Sequence, residues 1–138
     1  MKDVLDYSIK KLRKAYRKLS EGIKQTKDEL DRDGVIQRFE FTFELLWKAL
    51  KIYLENQGVI IKTPRDSFAE AFRVNIISDE KIFLDMLEDR NNTSHIYDEE
   101  TSKKIFNRIK ENYQLEINEV IIFLEEYLKT TTQEKKQD

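Results

Sequence analysis

The chain has 138 residues, of which 39% are hydrophobic and 38% charged, with a formal net charge of −2. That is one domain with room for a core, and the charge balance excludes a broadly basic nucleic-acid coat, so any phosphate contact must rest on a local patch. Absent cysteine excludes disulfides and thiolate metal sites. With no apolar run of membrane-spanning length and no signal-peptide core in Met1-Lys2-Asp3-Val4, it points to a cytoplasmic protein with no membrane partner.

Only three glycines and one proline interrupt abundant Leu, Ile, Glu and Lys, which predicts an all-α chain. The first helix is expected from about Asp3 to Gln25. There Leu5, Ile9, Leu12, Tyr16, Leu19 and Ile23 recur at steps of four and three and form one apolar stripe. Its outer faces are basic, with no acid from Tyr7 to Ser20. The simplest reading is a solvated face. The functional alternative is a track for RNA or an acidic partner through Lys10, Lys14 and Arg17.

Lys27 to Gly34 reads as a polar connection or a frayed helix end. The second helix is expected from about Val35 to Asn56 and carries two stripes. One is Ile36, Phe39, Phe43, Leu46, Leu50 and Tyr53; the other is Phe41, Leu45, Ala49 and Ile52. A helix apolar on two sides is central in a bundle, or shared between a core and a subunit interface. Trp47 packs in that seam, and Gly58 is the expected stop. Thr63 and Pro64 start a third helix as N-cap and first helical residue, with Phe68, Phe72 and Ile76 on its apolar edge. Ser78 is the expected cap of a fourth, which buries Ile82, Phe83, Met86 and Leu87. A last long helix begins near Glu99 and carries apolar residues to Leu128. Residues 129–138 are wholly polar and are expected to be a disordered tail after a 1–128 bundle domain. The architecture predicted is an up-and-down bundle of four or five helices.

The most informative stretch is Arg90-Asn91-Asn92-Thr93-Ser94-His95-Ile96-Tyr97, which holds the sole histidine. Histidine alone both takes and gives a proton near neutral pH, and arginine suits phosphate. On one unbroken helix, residues five apart are separated by roughly 140°, so Arg90 and His95 would not share a face. Either the helix breaks within Asn91–Ser94, residue types that favour caps and turns, or two chains assemble the site. One histidine and no cysteine leave no basis for a transition-metal site, and no Gly-rich loop is present to cradle a cofactor phosphate. Neither a metal nor a cofactor is expected.

Arg90-Asn91 followed by His95-Ile96-Tyr97 resembles the Arg-x4–6-His motif of the HEPN superfamily in its HepT-like form. Arg38-Phe39-Glu40-Phe41-Thr42-Phe43-Glu44-Leu45-Leu46-Trp47-Lys48 is similar to the signature of its branch known as nucleotidyltransferase substrate-binding proteins. Pro64-Arg65 and Asp89-Arg90-Asn91 fit as well, whereas Ile82-Phe83 departs where relatives carry tryptophan. The resemblance spans about Leu5 to Leu128.

It implies a helical homodimer that binds a minimal nucleotidyltransferase. HepT-like relatives are toxins that cleave RNA without metal, and the nucleotidyltransferase antitoxin AMPylates the motif tyrosine. Carried over, His95 is the acid–base group, Arg90 holds the scissile phosphate, Asn91 orients phosphate or imidazole, and Tyr97 accepts AMP. The alternative is a non-catalytic substrate-binding subunit of the nucleotidyltransferase. The acidic flank of Asp89, Asp98, Glu99 and Glu100 favours that alternative, because it would repel RNA unless the basic first helix of either subunit compensates, and it would suit docking to a basic partner surface. Glu40 and Glu44, one turn apart, could bind a cation or face the motif, but ordinary interface ion pairs are the first expectation. DNA is not an expected partner.

Overall fold

The computed structural model describes the backbone of residues 2–95 and 98–137 and the side chains of residues 3–95 and 98–132. In chain order, the helices are α1 (Lys2–Gln25), α2 (Glu29–Asn56), α3 (Pro64–Arg73), α4 (Glu80–Asn92), α5 (Glu99–Arg108) and α6 (Gln114–Gln137). A 3-10 turn, Thr93–His95, follows α4, and a π turn, Ile109–Tyr113, joins α5 to α6. Helical backbone angles run through Arg108 and Gln114, so α5, the π turn and α6 make one rod. The result is an all-α bundle of five helical rods among the described residues, as the periodicity predicts. None of these helices is long and apolar enough to cross a membrane.

α2 is the central element and packs on α1, α3, α4 and α5, while α1 also packs on α6. The two apolar stripes explain this placement. Phe39, Phe43, Leu46, Ala49 and Leu50 are fully buried, whereas Phe41 on the second stripe is 58% exposed. Aromatic contacts cross the core as a chain. Tyr113 stacks on Phe39 at 5.6 Å, Phe43 meets Phe68 at 5.8 Å, and Phe68 meets Phe83 at 5.2 Å. Gly22 on α1 faces α2, where an added Cβ would lie 2.9 Å from Arg38 Nη1 and 3.3 Å from Val35 Cγ2. That guanidinium donates to the Lys18 carbonyl at 2.6 Å. Arg13 clamps α1 to α6 through Glu125 at 2.7 and 3.0 Å and Asn118 at 2.8 Å.

Several helix ends follow the sequence. Thr63 accepts from the Asp66 N–H and Pro64 opens α3. Gly58, at φ +94°, follows the end of α2 as expected. Two starts differ. α2 begins at Glu29, not near Val35, because Asp28 accepts from the Asp31 N–H while Asp31 accepts from the Lys27 N–H, a reciprocal cap. Asp79, not Ser78, caps α4 by accepting from the Ile82 N–H. Ile76 lies beyond α3, which ends at Arg73, and Phe72 is 44% exposed. α6 continues to Gln137 through the stretch expected to be disordered from Lys129. Its Lys, Glu and Gln residues are good helix formers, and Thr131 donates to the Tyr127 carbonyl at 2.9 Å.

Candidate functional site

α4 ends where the motif begins. Thr93 bonds the Arg90 carbonyl through its backbone N–H and again through its hydroxyl at 2.7 Å. The second bond offers the chain an alternative to further α-helix. The expected break therefore falls after Asn92, and His95 sits in the 3-10 turn, exposed to solvent.

Arg90 is held from three sides. Its guanidinium forms an ion pair with Glu44 on α2. Nη1 donates to Asn91 Oδ1 at 2.9 Å, and the guanidinium carbon lies 5.4 Å from the centre of the Phe43 ring. Glu44 is itself positioned by Trp47, whose Nε1 donates to its other oxygen at 3.1 Å, with Lys48 3.7 Å away. Of the two carboxylates on that face, Glu44 reaches the motif. The signal was present in the sequence as the second-helix block, but the four-residue spacing alone did not single out Glu44. Trp47 does occupy the α2 seam, half-buried, with its carbonyl accepting from Ser67 at 3.1 Å.

The acidic flank looks different once folded. Asp89 is buried, and its carboxylate accepts two 2.7 Å bonds from Arg108 and one of 2.5 Å from the Tyr113 hydroxyl. Burial first, then the bond to Asp89, push the Tyr113 phenol above its ordinary range. Asp98 caps α5 by accepting from the Thr101 N–H at 2.6 Å, and that bond lowers its carboxyl below the usual value. Glu99 pairs with Arg32 at 2.9 Å, and Glu100 with Lys104 at 3.5 Å. The flanking charge is thus largely paired, which weakens the repulsion expected from the sequence.

Arg90 and Asn91 are therefore brought together, but no hydrogen bond or ion pair links either to His95 among the described residues. Tyr97, the expected AMP acceptor, lies outside the described residues. Lys10 pairs with Asp6 at 3.1 Å, while Lys14 and Arg17 are exposed on α1; none of the three touches the motif among the described residues. No cluster of three or more His, Cys, Asp or Glu side chains is placed to hold a metal ion among the described residues.

Residues 7–126 match the family described as nucleotidyltransferase substrate binding protein like. The chain belongs to that family. A relative from Haemophilus influenzae, described as a probable ribonuclease HepT, is 32% identical over 81 residues. That match takes in 55% of this chain and 56% of the relative, so the chain spans little more than half the relative's length. A crystal structure of a protein from Thermus thermophilus superimposes with a TM-score of 0.77 at 33% identity, covering 82% of this chain and 98% of that one. A structure from H. influenzae, described as revealing the fold of a substrate binding domain of a nucleotidyltransferase, gives a TM-score of 0.61 at 24% identity. It covers 91% of this chain and 99% of its own, and likewise shares the fold.

Proposed function

We propose that this protein is a HEPN-type endoribonuclease, the toxin of a toxin–antitoxin pair, acting without metal as a homodimer. Its partner is a minimal nucleotidyltransferase that neutralises it by AMPylating Tyr97. The observation that carries this reading is the state of Arg90. It is anchored on Glu44 and Phe43, yet its side chain keeps 31% exposure, one short turn before an exposed His95. A fixed, accessible guanidinium is preorganised for charge that builds on phosphate oxygens.

In this mechanism His95 removes the proton from a ribose 2′-hydroxyl, and that oxygen bonds to the adjacent phosphorus. The bond to the 5′-oxygen breaks, and a second imidazole protonates the leaving oxygen. Each chain has only one histidine, so the partner subunit's His95 supplies that proton. Arg90 balances charge on the non-bridging oxygens, and Asn91 keeps the guanidinium oriented. Silencing forms a bond between the Tyr97 phenolic oxygen and the α-phosphorus of ATP. Pyrophosphate leaves, and the phenolic proton passes to the nucleotidyltransferase or to water. The added nucleotide brings bulk and negative charge two residues from His95 and excludes RNA.

One observation favours the second reading, a non-catalytic substrate-binding subunit. Glu44 already neutralises Arg90 in the free chain, as it would if Arg90 only braced α4 against α2.

Cleavage of defined RNAs in EDTA by wild type and His95→Ala separates the two. Products ending in a cyclic phosphate, lost in His95→Ala, support the ribonuclease. No cleavage by folded, dimeric wild type of unmodified intact mass supports the substrate-binding subunit. A mass gain of whole AMP units identifies the silenced form.

A further inference from the structure

A groove beside the motif runs between the start of α3 and the outer side of α4. Arg65, Leu84, Leu87, Glu88, Asn91 and Asn92 line it. Asp85 also lines it, but its carboxylate is paired with Lys81 at 3.1 Å. Asn91 belongs to both groove and motif. Its Oδ1 accepts from Arg90 at 2.9 Å, which leaves its side-chain NH2 group to donate elsewhere. Glu88 and Arg65 are exposed, and neither makes a side-chain hydrogen bond or ion pair among the described residues. Leu84 is half-buried and Leu87 buried, so the groove has an apolar wall.

We propose that this groove holds the nucleobase flanking the scissile phosphate of single-stranded RNA and selects bases with an exocyclic amino group over uracil. The proposal rests on the ribonuclease reading. A groove meant for phosphate alone would be poorly served by an unpaired carboxylate. A base edge explains it, because an ionised carboxylate only accepts, and the amines of cytosine, adenine and guanine donate. Uracil has no amine, and its one edge donor, N3–H, is flanked on both sides by carbonyl oxygens that are set against the Glu88 carboxylate. The ring face lies on Leu84 and Leu87, and the Asn91 and Asn92 amides serve the remaining polar edge. Arg65, at the α3 end, takes the adjoining phosphate. Only an unpaired strand can splay a base out this way.

The test is cleavage of randomised single-stranded RNA by unmodified wild-type dimer in EDTA, with product ends sequenced. Uridine should be depleted about tenfold at one position beside the cut, the scale of a hydrogen bond to a charged group. Glu88→Ala should flatten that preference while cleavage persists. Arg65→Ala should raise KM with little change in kcat and reduce the salt slope of binding by about one. No base preference in wild type, or a preference unchanged in Glu88→Ala, overturns the proposal and leaves the ribonuclease standing. If wild type cleaves nothing, the ribonuclease reading fails by itself. The groove is then judged by fluorescence anisotropy with labelled oligocytidine and oligouridine. Tighter oligocytidine binding that is lost in Glu88→Ala upholds the groove as a base-selective site without cleavage; equal or absent binding overturns it.

Discussion

Tyr113 donates its phenolic hydrogen to the Asp89 carboxylate at 2.5 Å, and this bond ties the last turns of the motif helix to the π turn of the C-terminal rod. Arg108 grips the same carboxylate from five residues earlier. Residues five apart diverge by roughly 140° on an α-helix, but a π turn closes i→i+5 bonds and brings them over one another. The π turn at Ile109–Tyr113 is what lets both side chains reach one acid. With Asp89 turned inward, the next residue, Arg90, is directed toward Glu44.

Breaking this cluster should therefore be costly. Asp89→Ala leaves a guanidinium and a phenol without their shared acceptor, and the expected loss is about 3 kcal/mol. Tyr113→Phe removes one bond to a buried charge, an expected loss of about 2 kcal/mol. Urea unfolding measures both. The two losses should not add, because the groups share one carboxylate. An Asp89→Ala variant as stable as wild type would show that the cluster does not brace α4.

The same phenol makes stability depend on alkaline pH. Tyr113 is raised above its ordinary value of 10.0, so the unfolded chain gives up this proton before the folded chain does. Between those two values the unfolded state binds fewer protons, and stability falls as pH rises. The contribution is fully present below pH 10 and is lost above it. Urea midpoints should decline across that range in wild type and decline less in Tyr113→Phe. Equal slopes in the two proteins would remove Tyr113 as the cause.

Glu44 should act on catalysis through Arg90. Glu44→Gln keeps the shape and removes the charge that fixes the guanidinium, so kcat should fall by about tenfold or more, with KM little changed. Glu44→Asp should recover part of the loss. Arg90→Lys should cost more, about a hundredfold in kcat, since an ammonium loses the fork geometry and the planar contact with Phe43. If Glu44→Gln changes only the unfolding midpoint, Glu44 is a brace for α4 and nothing more.

What could be read from the sequence divides along physical lines. The stripe from Leu5 to Ile23, the Thr63-Pro64 start and the break after Asn92 are local patterns, and each has its expected counterpart in the fold. The start of α2 is hidden in the sequence because Asp28 and Asp31 cap it through a reciprocal pair inside a stretch with little apolar pattern. Asp89 reads in the sequence as a repelling charge because its neutralisation depends on Arg108 and Tyr113, 19 and 24 residues away. The π turn has no periodic signal of its own; apolar residues run through it much as on an α-helix. Glu44 stood in the recognised block, but its link to Arg90 is a tertiary contact between helices and no spacing rule could supply it.

The remaining prediction concerns assembly. Phe41 is 58% exposed in the middle of the central helix, on the same stripe as the half-buried Leu45 and Ile52. A large aromatic side chain left out of a core that buries Phe39 and Phe43 on either side fits a subunit contact. His95 has no bond to Arg90 within one chain, so pairing of two chains is also what the proposed reaction needs. Light scattering at micromolar concentration should give twice the chain mass for wild type and a single chain mass for Phe41→Glu. Because Phe41 lies outside the core, the variant should unfold at a midpoint close to wild type. It should also lose RNA cleavage, although it alters none of the proposed reacting groups. A wild-type monomer would count against a shared site, and a monomeric Phe41→Glu that still cleaves would place the whole reaction within one chain.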